Sequence, residues 1–438
     1  YFVPNVTTTV ISCKTNLPPN TAFRGFGGPQ GMFVIESAIA KAASEIGVSS
    51  REIQEVNLLD EDDTFSYGQI AKKVEAKNTW DSAKSIFNIE ALEKEVEDFN
   101  KNNSSFKKGL AFMPITFGIS FTNTPMNHAR ALVHIYLDGS IGISTAAVEM
   151  GQGVNTKMMQ IAAQVFSIPI EKIKIETTNT TRVANTSPSA ASSTADLNGK
   201  ATLMACNSLL ERLKTVASED LNTSENNITL KDECVYVNGK KSELSWTELI
   251  SKAMLKRVAL TENAHYATPE IHFDKTLEKG HPFAYHVYGT AITTVTVDCT
   301  RGIYEFDSVK IVHDYGKSMS EGIDLGQVEG ALAQGIGWMT MEEIAYNDEG
   351  RLLSNALSTY KIPDIFSVPK EVEVIPVETE GNDMAILKSK AVGEPPLMYG
   401  IGAYFAIQNA IKAFNPNYDL KFHAPMTPEK VLMGLYKK

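Results

Sequence analysis

The sequence predicts an α+β fold of mixed sheets with helices packed on them. Two strand hairpins carry that prediction, residues 130–137 with 141–147 and residues 286–298 with 303–313, each followed by an apolar helix. A third sign is that Gly- or Ser-rich loops open the helices, as in Glu149-Met-Gly-Gln-Gly153 and Asp324-Leu-Gly-Gln327. Gly151-Gln152 and Gly326-Gln327 both follow a hairpin at a helix start, a weak internal duplication in which two Gln side chains could reach one ligand.

In chain order, the β-branched run at 6–13 reads as a strand. Loop 16–30 then brings three glycines, three prolines, two aromatic residues and Arg24 to the start of a helix at 31–45. Such a loop either presents unpaired N–H groups to an anionic or oxo ligand or is a tight connection with packed Phe side chains. Segments 52–60 and 80–100, rich in Glu and Lys, read as exposed helices, and Asn102-Asn103-Ser104-Ser105 marks a boundary.

Residues 108–122 read as a buried strand, and Asp138-Gly139-Ser140 is the strongest hairpin signal. The helix after Gly153 shows Met158, Ile161, Ala162 and Val165 on one face, and a strand at 173–178 follows. The Ser/Thr cluster at 186–194 opens a long helix, 195–214, where it either donates to an anion or simply caps. A small hairpin turns at Asn238-Gly239 within 228–245, with a helix from Ser245. The chain ends with a strand at 385–388, helix 399–414 and a short helix from Pro428.

The 438 residues carry a formal charge of −11, which argues against a nucleic-acid partner, since phosphate binding needs a Lys/Arg surplus on some face. No apolar stretch approaches the roughly 18–20 residues of a membrane span. Cys13, Cys206, Cys234 and Cys299 show neither CxxC pairing nor zinc spacing, so free thiols in a reducing cytoplasm are expected. The opening Tyr1-Phe2-Val3-Pro4 reads as a start within a longer protein, a fragment or a processed subunit.

Lys390-Ala-Val-Gly-Glu-Pro-Pro-Leu397 sets one carboxylate, Glu394, between a glycine and two prolines near the end of an apolar chain. It is either a general base held in a stiff frame or a loop carboxylate that caps the following helix. Neither GxGxxG with a downstream acid nor a P-loop is present, so the loops surround something other than a plain nucleotide.

Ala22-Phe-Arg-Gly-Phe-Gly-Gly-Pro-Gln30, Glu149-Met-Gly-Gln-Gly153, Thr186-Ser-Pro-Ser-Ala-Ala-Ser192, Asp324-Leu-Gly-Gln-Val-Glu-Gly330 and Lys390-Ala-Val-Gly-Glu-Pro-Pro396 resemble the molybdenum hydroxylases. The resemblance is nearest to the C-terminal, molybdenum-binding part of the xanthine dehydrogenase/oxidase family and spans nearly the whole chain. It implies two elongated molybdopterin-binding domains sharing one molybdenum–molybdopterin cofactor. Residues 1–105 would then be the remainder of the first domain and 106–438 the second.

The resemblance also implies roles. Glu394 would be the base that deprotonates the metal's hydroxide for attack on an electron-poor purine carbon, with hydride passing to the sulfido ligand. Phe26 and Phe121 would hold the purine and Thr122 would hydrogen-bond it. The main chains of Arg24 and Ala191 would lie at the metal. Gly151, Gln152, Gly153 and Gln327 would contact the pterin. Ala190 and Ala191 would line the cofactor, with Ser192, Ser193 and Thr194 at its phosphate end. The 2Fe-2S and FAD domains, and the first part of the molybdenum region, would belong to the rest of the enzyme, which acts as a cytoplasmic homodimer. Gly25 stands where the similar carbon monoxide dehydrogenases carry Cys. Ile119-Ser-Phe-Thr122 looks purine-type, against an aldehyde oxidase-type substrate or a pterin-binding subunit without chemistry.

Overall fold

The computed structural model describes residues 1–20, 22–176, 178–377 and 379–436. Thr21 of the predicted 16–30 loop and Thr177 of the predicted 173–178 strand lie outside the described residues.

Helix α1 (Gly28–Ile46) starts at the Gly-rich loop with Pro29 in its first turn, where a missing N–H costs nothing. Helix α2 (Ser50–Val56) is fixed by a capping box in which Ser49 and Glu52 exchange side-chain and main-chain bonds. Helices α3 (Ala76–Ile86) and α4 (Ile89–Asn102) break at Phe87-Asn88, where Asn88 turns left-handed at φ 47° and caps α4. They are amphipathic rather than simply exposed. Trp80, Ala83, Phe87 and Ile89 pack on Phe112, Ile292 and Val312 of the main sheet, because alternate helix faces carry the charged and the apolar residues.

From Phe106 onward the chain builds the same unit twice. In the first unit, β1 (Phe106–Ile119) precedes the hairpin β2 (His128–Ile135) and β3 (Ile141–Thr145), with Gly139 left-handed in the turn. Helix α5 (Val154–Phe166) crosses over to β4 (Ile173–Ile175), parallel to β3, and α6 (Thr194–Asp220) follows. After β5 (Ile228–Lys231), β6 (Cys234–Val237), β7 (Lys240–Ser245) and α7 (Trp246–Leu255), strand β8 (Thr261–Ala267) pairs with β2. The predicted hairpin at 228–245 is this three-stranded sheet, and both Asn238 and Gly239 have positive φ.

The second unit follows the short pair β9 (His272–Asp274) and β10 (Lys279–His281). Strands β11 (Tyr285–Asp298) and β12 (Ile303–His313) form a hairpin, α8 (Glu321–Thr340) crosses over, and β13 (Glu371–Pro376) lies parallel to β12. Helix α9 (Ile401–Phe414) then covers the sheet. The two sheets have equivalent orders, β4-β3-β2-β8 and β13-β12-β11-β1, each closed by one more antiparallel strand. The duplication suggested by Gly151-Gln152 and Gly326-Gln327 is therefore real at the level of topology.

One core lies between the β1–β11–β12 sheet, α8 and α9, and a second beneath β2–β3 with α5, α6 and α7. Helix α9 approaches β1 so closely that a Cβ on Gly109 would sit 1.9 Å from the Ala406 carbonyl oxygen.

Two predicted strands are absent. Residues 6–13 are exposed and unpaired to any described strand, since a β-branched run needs a neighbouring edge that this stretch does not find. Residues 385–388 form a 3₁₀ turn with Leu387 at φ 49°. There the Ile386 N–H is captured by the Asp196 carboxylate (2.8 Å) instead of a strand partner.

Candidate functional site

A cavity of about 1300 Å³ opens where the two units, the α1 loop and the Glu394 loop meet. It collects most of the predicted site residues: Arg24, Phe26, Phe121, Thr122, Gly151, Gln152, Ala190, Ala191, Ser192, Thr194, Gln327 and Glu394 all line it. Gly153 and Ser193 are not in the lining. Gly153 is the left-handed N-cap of α5, where a Cβ would meet Ile323 at 2.7 Å, and Ser193 is buried as the N-cap residue of α6, its hydroxyl bonded to the Ala190 carbonyl.

Glu394 is tied to two distant loops. The Gly25 amide donates to Oε1 (3.1 Å), and the Ser192 hydroxyl donates to Oε2 (2.8 Å) while accepting from the Glu394 amide (2.8 Å). Gly25 has φ 88°, and a Cβ there would lie 2.5 Å from the Pro29 ring, so only glycine suits the position. Phe117 packs under the same loop, close enough that a Cβ on Gly28 would lie 2.9 Å from its ring.

The Arg24 side chain spreads its donors over three acceptors. Its Nε donates to the Gly393 carbonyl, Nη1 to Gln334 Oε1 (3.2 Å) and Nη2 to Gln327 Oε1 (3.3 Å). Burial lowers its affinity for the proton, and the Glu394 charge offsets part of that. Gln334 was not singled out by sequence reasoning, although its spacing of seven from Gln327 puts both on one face of α8.

The Glu394 loop is anchored from behind by three further contacts that the sequence did not announce. Lys390 forms an ion pair with Asp314, both sealed from solvent. The Ala391 N–H donates to Tyr285 OH (3.1 Å), which donates to Asp196 Oδ2 (2.6 Å). Burial pushes Asp196 up to about 6, against the pull of its Tyr285 and Ile386 bonds.

On the far wall the N-terminus of α5 is already filled. Glu149 accepts from the Gly151 and Gly153 amides (2.9 Å each) and the Asn155 amide (3.1 Å). Burial pushes its carboxyl up, but these amides outweigh that and hold it below its ordinary value. The amides of Gly151, Gly153 and Asn155 are therefore occupied by the chain's own carboxylate. Gln152 is likewise folded back, accepting from Met150 N (2.5 Å) and donating to Val148 O (2.8 Å). Phe121 is fixed by Asn127, which bonds its amide and its carbonyl (2.8 Å each). Phe26 has φ 42° and is 76% exposed, so one wall of the cavity stands open.

Residues 82–369 and residues 1–58 each match a molybdopterin cofactor-binding domain. The chain belongs to the molybdopterin cofactor-binding domain family. Its molybdopterin-binding fold is similar to that of solved structures: quinoline 2-oxidoreductase from Pseudomonas putida 86 has a TM-score of 0.82 at 23% identity, over 95% of this chain and 53% of that one. Aldehyde oxidoreductase from Desulfovibrio gigas has a TM-score of 0.77 at 23% identity, over 94% of this chain and 41% of that one. In sequence the chain is 39% identical to the xanthine dehydrogenase/oxidase of Felis catus and 38% identical to the xanthine dehydrogenase of Oryza sativa subsp. japonica, over 98% and 99% of its length. It spans 31% of the length of each of these relatives.

The residues present fit a molybdopterin cofactor. The cavity is large enough for a pterin and a substrate together. Its lining offers bare main chain at Gly151, where a Cβ would meet nothing, and at Ala191 and Ser192, both left-handed at φ 54°. Two adjacent non-glycine residues in that region are costly and cluster at ligand sites. Among the described residues no group of three or more His, Cys, Asp or Glu is placed to hold a metal ion. No described helix is long and apolar enough to cross a membrane.

Proposed function

We propose that this molybdopterin-binding chain is the C-terminal portion of a molybdenum hydroxylase of the xanthine dehydrogenase/oxidase type, acting on a purine. The observation that carries the reading is Glu394, held at both carboxylate oxygens inside an aromatic-walled cavity. When bound, the molybdenum–pterin group supplies the oxygen atom and takes up two electrons. Glu394 is the general base: each of its oxygens accepts one bond and keeps a lone pair that would take the proton of the attacking hydroxide. Phe26 and Phe121 are flat walls for a flat heterocycle, and Thr122 offers it a hydroxyl. The main chain of Arg24 and Ala191 would face the metal, while Gly151, Gln152, Gln327, Ala190 and Thr194 would hold the pterin and its phosphate.

The remaining portion of the enzyme, with its 2Fe-2S, FAD and first molybdenum-domain segments, is the partner, and the assembly is a cytoplasmic homodimer. The exposure of Phe26 (76%) at the cavity wall supports a covering partner there. In the full assembly, Glu394→Ala abolishes purine hydroxylation while molybdenum content stays normal. Turnover within a few-fold of wild type removes the catalytic assignment. Comparing xanthine with an aromatic aldehyde as substrate separates the purine reading from an aldehyde oxidase-type one.

A further inference from the structure

Ser192 makes two bonds to one residue. Its hydroxyl hydrogen goes to Glu394 Oε2 and its oxygen accepts the Glu394 amide, each at 2.8 Å, across 202 residues of chain. One side chain therefore fixes both the backbone and the carboxylate of the same residue. The neighbouring positions are shaped around this contact. Ser192 is left-handed at φ 54°, and a Cβ on Gly393 would stand 3.1 Å from its Oγ, tight enough to push the hydroxyl away. The other carboxylate oxygen is held by a main-chain amide, Gly25, that no side-chain substitution removes.

We propose that Ser192 is a positioning residue that sets the orientation of the Glu394 carboxylate, rather than a ligand of the cofactor's phosphate. The proposal rests on the general-base reading of Glu394. Positioned general bases contribute on the order of 10²–10⁴ in rate, and losing one of two orienting bonds removes part of it.

The test uses the complete loaded enzyme with Ser192→Ala, Ser192→Thr and Glu394→Gln. Ser192→Ala is expected to lower kcat about tenfold with KM within about twofold. Molybdenum content is unchanged, and Ser192→Thr restores most of the rate. A second readout is independent of turnover: the infrared carboxylate band of Glu394, identified by difference from Glu394→Gln, shifts in Ser192→Ala and returns in Ser192→Thr. Loss of molybdenum in Ser192→Ala, or an unmoved kcat with an unmoved carboxylate band, overturns the role of Ser192. Wild-type turnover by Glu394→Gln instead overturns the base reading on which it stands, and the two failures are told apart by which variant shows them.

Discussion

Lys157 Nζ lies 2.6 Å from Asp324 Oδ1, joining α5 of the first unit to α8 of the second beside the cavity. Both side chains are almost fully buried, and Ser318 gives Asp324 a second bond (2.6 Å). A buried pair is costly to break on one side only, because the survivor is left charged and unpaired. Lys157→Met or Asp324→Asn alone should therefore cost about 3–5 kcal/mol, while the double change Lys157→Met/Asp324→Leu should cost far less. Denaturant unfolding of the four forms gives the coupling. Additive losses would mean that the two units are not joined here.

Much of this architecture was legible because local signals agreed with the final packing. The turns at Asp138-Gly139 and Asn238-Gly239 and the capping box Ser245/Glu248 carry their geometry in three or four residues. The misreadings fall where distant residues decide. Nothing near Ile386 says that Asp196 will take its N–H, and nothing in residues 6–13 says whether an edge is waiting. The site divides the same way. The Gly/Pro frame drew attention to Glu394 while leaving base and loop carboxylate both open, whereas its partners Gly25 and Ser192, and the Lys390–Asp314 and Tyr285–Asp196 anchors behind it, are long-range pairings that no single-chain pattern encodes.

Tyr285 offers a check on that anchoring. Its hydroxyl bonds both Asp196 and the loop amide of Ala391. Tyr285→Phe keeps the ring and strands both partners, which should cost about 1–3 kcal/mol. If the anchor positions the Glu394 loop, kcat of the full enzyme falls severalfold with molybdenum content intact. A stability loss without any change in kcat would confine Tyr285 to the core.

Glu36 gives a pH signature. Burial pushes its carboxyl up to about 7, although Tyr1 OH (2.5 Å) and Gln54 Nε2 (2.8 Å) both bond it and pull the other way. The folded chain then holds a proton that the unfolded chain has released, so this group's contribution is full below about 4.5 and is lost as pH rises to about 7. Glu36→Gln removes that slope and should be more stable than the parent at pH 8 by up to roughly 3 kcal/mol, with little gain at pH 4. Unfolding curves at the two pH values decide it, and equal gains at both would assign the effect to packing.

Gly25 ties the substrate wall to the base. With φ at 88° and the Pro29 ring 2.5 Å from where a Cβ would stand, Gly25→Ala must move the loop between Arg24 and α1. The local strain is about 1–3 kcal/mol. The movement acts twice, because the amide that holds Glu394 Oε1 and the backbone that presents Phe26 are adjacent. Gly25→Ala, and Gly25→Cys more so, should lower kcat/KM by more than about tenfold through both kcat and KM, with global unfolding changed little. Circular dichroism, metal content and steady-state kinetics on the same preparations separate this from misfolding. Kinetics close to wild type would show that the loop tolerates a side chain without moving either group, and that the glycine is not what keeps base and wall in register.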